Sequence, residues 1–158
     1  MPYGSVKVDS IVTSTQTVTV DNLVTAAGSA TLTNKTLTDP TIVGTIIEDV
    51  FTITDGAAFE IDPSNGSVQL VTLGANRTPK ATNFAAGEAV TLMVDDGTNY
   101  NITWTDATFG ASGVKWTGGT AASPGGSAPA DLADTGYTVI QLWKVSSQVY
   151  AAFVGFVA

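Results

Sequence analysis

The strongest constraint in this chain is the alternation of apolar and polar side chains in its second half. Val90, Leu92 and Val94 alternate with Thr91 and Met93, and Tyr100, Ile102 and Trp104 resume the period after Asp95, Asp96 and Gly97. A period of two puts every second side chain on one face, so such segments bury one face of a sheet. Asp and Gly between the runs supply short polar side chains and tolerance of positive φ, so an antiparallel hairpin is predicted here. A second hairpin is predicted from 137–145 and 149–156, joined across Ser146, Ser147 and Gln148. Its strands are apolar almost throughout, which implies that both faces are covered, one by a core and one by a neighbour.

Three further runs, 50–53, 58–61 and 68–73, read as strands, with Asp62, Pro63, Ser64, Asn65 and Gly66 forming a turn between the last two. No helix longer than a single turn, at 131–134, is predicted. The expected fold is all-β: a small antiparallel β-sandwich, jelly-roll-like, over residues 49–158. All three tryptophans lie there, so this part has the bulk for a core. Residues 1–48 differ. They hold short β-branched runs at 6–12 and 17–20, then a stretch of small and polar residues whose sizeable apolar anchors include Leu37, Ile42, Ile46 and Ile47. So little bulk does not offset the entropy of ordering. The expectation is an extended N-terminal arm for attachment or oligomerisation, ordered against copies of itself or another protein.

Composition excludes several chemistries. With no Cys and no His, a disulfide framework, a zinc–thiolate site, a Cys nucleophile and a Ser–His–Asp triad are all ruled out. Fourteen acidic against six basic residues give a net charge of −8, which disfavours nucleic acid and anionic membrane as partners. Charged residues make up 13%, about half the usual share. The surface is therefore left to Thr, Ser, Asn, Gly and Ala, as on proteins that pack against other subunits. No apolar run reaches the ~18 residues of a membrane span. The expectation is a non-enzyme without cofactor or metal.

Individual candidates are few. Asp95, Asp96, Gly97, Thr98 and Asn99 concentrate oxygen ligands but lack the alternation and terminal Glu of an EF-hand loop, so a plain turn is preferred. Gly118-Gly119-Thr120 and Gly125-Gly126-Ser127 carry no Lys-Ser/Thr pair and do not form a Walker A loop. Tyr100, Trp104, Trp116 and Trp143 are candidates for a sugar-stacking platform. Trp104 and Trp143 fall on alternating apolar faces, where core packing is the favoured reading. Trp116 falls in the long Gly-, Ala- and Pro-rich loop 109–135, beside Lys115. Such loops tend to make contacts, and Lys115 and Trp116 are the candidate contact residues.

Two stretches carry a resemblance. Ala30-Thr31-Leu32-Thr33-Asn34-Lys35-Thr36-Leu37-Thr38-Asp39-Pro40-Thr41-Ile42 resembles a segment that recurs in tail-fibre and other virion proteins of tailed bacteriophages. Residues 92–104, 114–120 and 136–155 are similar to a small β-domain that closes many such proteins. The resemblance implies a structural protein of the particle exterior, often trimeric, made in the host cytoplasm. The function it implies is exterior capsid decoration or cement; the alternative is a short tail fibre or receptor-binding protein. Implied partners are further copies of the chain as a homotrimer and phage capsid or tail proteins, with a host surface glycan under the alternative. The chain passes almost directly from the first motif to the β-domain, which favours a squat appendage over a long fibre.

Overall fold

The computed structural model describes residues 10–12, 17–19, 36–95, 100–123 and 125–158. The chain divides into two compact units, Met1–Gly44 and Thr45–Ala158. In the first, β1 (Ser10–Val12) and β2 (Thr17–Thr19) pair antiparallel, with Ile11 opposite Val18. Both fall on the β-branched runs, whose side chains favour extended backbone. Residues 31–35 of the phage-like segment lie outside the described residues.

The second unit is built on one six-stranded sheet of β3 (Val50–Thr52), β4 (Val68–Thr72), β5 (Ala89–Asp95), β6 (Lys115–Trp116), β7 (Tyr137–Val145) and β8 (Gln148–Val157). Its order is β3-β4-β5-β7-β8-β6. The all-β expectation holds. The antiparallel expectation holds for β5, β7 and β8 and is corrected elsewhere, because β3–β4, β4–β5 and β6–β8 are parallel. The reason lies in the connections. Residues 53–67 and 73–88 are long enough to carry the chain back to the starting end of the sheet, as parallel pairing requires.

Those connections also pair with one another. Glu60 bridges Lys80 and Arg77 bridges Ile102, both in parallel. Ile61 N–H donates to Lys80 O at 2.8 Å, and Thr103 N–H to Arg77 O at 2.8 Å. Residues 50–95 and 100–103 therefore form three stacked rungs. Each gives one strand to the sheet and one short segment to a second layer. Polar side chains tie successive rungs: Asp55 takes the Gly74 N–H at 3.0 Å and Arg77 Nε–H at 2.7 Å, and Asn76 Oδ1 takes the Asn101 N–H at 2.8 Å. The predicted turn at 62–66 is a 3-10 turn over Pro63–Asn65, capped by Asp62 and closed by Gly66 at φ 147°.

The hairpin predicted to run back from β5 through Tyr100, Ile102 and Trp104 does not form on β5. Both edges of β5 are already occupied, by β4 and β7. Ile102 instead joins Arg77 in the second layer, and the intervening residues 96–99 lie outside the described residues. The β7–β8 hairpin forms as predicted except at its turn: Gln148, expected in the turn, pairs with Val145 and leaves a two-residue turn. The core lies between the layers. Val90, Leu92, Val94, Ile140 and Leu142 face it from the sheet, Phe59, Ile61, Phe84 and Phe109 from the connections.

Candidate functional site

The predicted contact residues stand on β6, the short strand that ends the sheet. Lys115 pairs with Tyr150 and Trp116 with Ala151, and Thr117 N–H extends the ladder to Ala151 O at 2.8 Å. Gln148 fixes this corner: its Nε2 amide donates to Phe109 O at 3.0 Å and Gly113 O at 2.8 Å. Beyond β6 the chain folds back on itself, with Gly126 N–H donating to Trp116 O at 2.8 Å and Gly125 N–H to Gly118 O at 2.9 Å. Gly126 is required by that approach, since a Cβ there would overlap the Thr117 carbonyl. The result is a shallow groove of about 450 Å³ lined by Lys115, Trp116, Gly125, Gly126 and Tyr150.

Within it the two predicted residues differ. Lys115 is exposed. Trp116 is half-buried and packs against the core. Its ring meets Trp104 edge-on at 5.5 Å and 76°, and Trp104 in turn lies 5.8 Å from Phe109. Edge-to-face contacts of this kind are worth ~1 kcal/mol beyond the area they bury, so Trp116 is an anchor with one open side rather than a free contact residue. Trp104 is buried, as expected.

Trp143 is the correction. It was expected in the core, yet it is half-exposed on the outer face of the sheet, stacked on Tyr150 at 6.1 Å with ring planes 17° apart. The pair is cross-strand, Trp143 opposite Tyr150, with Lys115 next in the row. The missed signal was Gln141. It lies two residues from Trp143 and so on the same face, and a glutamine in an apolar strand marks the side away from the core. A second, larger depression of about 820 Å³ is lined by residues that include Tyr100, Asn101, Asp131, Asp134 and Phe156. Asp131 and Asp134 are exposed.

Three carboxylates are occupied by structural contacts. Arg77 beside Asp55 holds that carboxyl below its ordinary value. Hydrogen bonds from Ser64 and Asn83 do the same for Asp62, and bonds from Thr108 for Asp106. A general acid in glycoside cleavage needs the opposite shift. Of the oxygen-rich turn, Asp95 ends β5, while residues 96–99 lie outside the described residues. Among the described residues no three Asp or Glu side chains converge as a metal site would require. No family model matches the chain, and neither a curated protein nor a solved structure was found to be similar to it.

Proposed function

We propose that this chain is a non-enzymatic structural protein of a tailed-phage virion, an exterior decoration or cement protein. Residues 1–48 serve as its attachment arm and the β-unit faces outward. The observation that carries the reading is the stretch 37–47, which closes the phage-like motif and runs on past it. Leu37, Ile42, Val43, Ile46 and Ile47 are all exposed in the single chain, which is how a segment completed by another protein's surface looks in isolation. The low share of charge agrees with extensive protein contacts, and the net charge of −8 with partners other than nucleic acid.

The stacked Trp143–Tyr150 pair beside Lys115 favours a second reading, a short tail fibre or receptor-binding protein holding a host glycan, since flat exposed aromatic faces suit sugar rings. Counting copies per purified particle separates the two. Hundreds are expected for decoration, and a few dozen or fewer would transfer the protein to the tail. The arm is tested with residues 49–158 alone, which are expected to fold but not to bind particles stripped of the protein. Binding with full-length affinity would move attachment to the loop 109–135.

A further inference from the structure

Among the described residues the six-stranded sheet has two open edges, and they are unlike. One is β3, which among those residues pairs only with β4. All three of its residues are exposed, Val50 at 65%, and Ile46 and Ile47 just before it are exposed as well. The other is the distal part of β8. There β6 covers only Tyr150 and Ala151, so the strand continues past its neighbour with Phe153, Val154, Phe156 and Val157 exposed, Val154 at 64%. On β8 the alternation of buried and exposed residues stops at Ala152, which places the strand's last residues beyond the core. Val154 is the additional residue at a bulge, since Val139 pairs with Gly155 and Ile140 with Phe153. Apolar edges of this kind recruit further strands.

We infer that the two edges are halves of one contact and that the occupant of each is a second copy of this chain, β3 of one copy adding beside residues 152–157 of β8 in the next. Three observations select this pairing. Within one chain three strands separate the edges, so one copy does not close on itself. A head-to-tail contact covers both edges at once, whereas like-to-like pairing of either leaves the other bare. Charge agrees: Glu48 and Asp49 stand exposed just before β3, and exposed Lys115 stands on β6 beside the other edge, in no ion pair among the described residues. Because β3 and β8 run in the same direction within the sheet, head-to-tail repetition pairs them in parallel. It also brings the acidic residues to the end of β8 where Lys115 lies. A head-to-tail contact closes into a ring of three or more copies or grows into a filament.

The inference rests on the sheet alone and is independent of the virion reading, which copy counting tests. The full chain is expected to sediment as a closed ring or larger species at micromolar concentration. Val50→Lys and Val154→Lys, both at exposed positions, are each expected to yield folded monomers with unchanged circular dichroism. The chain has no cysteine, so a mixture of Val50→Cys and Val154→Cys chains treated with a short bis-maleimide reports which edges meet. Mixed 50-to-154 dimers are expected to exceed like-with-like dimers at least tenfold. A full chain that stays monomeric overturns the inference and assigns the edges to another protein. Dissociation by only one of the two lysine variants, or cross-linking only of like with like, overturns it in favour of symmetric pairing.

Discussion

The rungs (50–95 and 100–103) and the β7–β8 hairpin contribute to one sheet by opposite means. The hairpin joins strands through two residues, Ser146 and Ser147, and the β7–β8 pairs all close within the hairpin itself. The rungs join strands through connections of some fifteen residues, and each connection is itself held by the next: Asp55 to Gly74 and Arg77, Asn76 to Asn101, Asp62 to Asn83. Loop-closure entropy makes a connection of that length about 2 kcal/mol costlier than a two-residue turn. The cross-rung side-chain bonds offset that cost in the rungs, and the hairpin has no need of them. Polar substitutions should therefore harm the rungs, and backbone changes in the turn should govern the hairpin.

The largest effect is expected where both regions share a core. Trp104→Ala removes a buried ring that contacts Phe109 and Trp116 and is expected to cost about 3–5 kcal/mol in denaturant unfolding. Trp143→Ala, on the outer face, is expected to cost about half of that; equal losses would show that Trp143 is as deeply packed as Trp104. Gln69 sharpens the contrast next. It is fully buried, and its Nε2 donates to Asp62 O at 2.6 Å and Gly66 O at 2.9 Å, locking the turn between the first two rungs. Gln69→Ala strands the buried Gly66 carbonyl, while Asp62 O keeps the Asn65 N–H at 3.1 Å, and is expected to cost about 2 kcal/mol.

Asp55→Asn breaks the charge-assisted link from the first rung to the second, and a loss of about 1 kcal/mol at neutral pH is expected for this part-buried pair. Its pH dependence is the better test. The folded carboxyl titrates below its ordinary value, so the link is fully present above about pH 4 and lost as pH falls through the lower folded value. Melting temperature should fall less steeply with acid in Asp55→Asn than in the parent; parallel curves would remove Asp55 as a determinant. The smallest effect belongs to the hairpin. Ser146 opens the turn at φ 54°, a conformation that glycine adopts without strain, so Ser146→Gly is expected to stabilise by about 0.5 kcal/mol. A loss instead would mean that the serine side chain supports the turn.

The same contrast explains what was legible in the sequence. The β7–β8 hairpin and the inward face of β5 could be read because both depend on neighbours within a few residues. Val90, Leu92 and Val94 are fully buried, as their alternation requires. The parallel rungs could not be read, since nothing in residues 100–104 states that Ile102 will find Arg77 rather than β5. Among the candidate site residues, Lys115 was placed on the surface correctly. Trp116, expected exposed, and Trp143, expected in the core, are both half-buried. A glycine-rich loop conceals that its tryptophan reaches back to Trp104, and a strand apolar on both faces offers only Gln141 to distinguish inside from outside.

The position of the hairpin also sets an order in time. β5 finds its partner in β7, which leaves the ribosome some forty residues later, and the two-residue turn between β7 and β8 closes within microseconds once both are free. The rungs gain a completed sheet to stack against only at that moment. Until then their apolar segments stand open in a chain whose two sheet edges also expose apolar side chains. During synthesis the hairpin acts as a late lock, and slowing its release lengthens the period in which neighbouring nascent chains can pair wrongly.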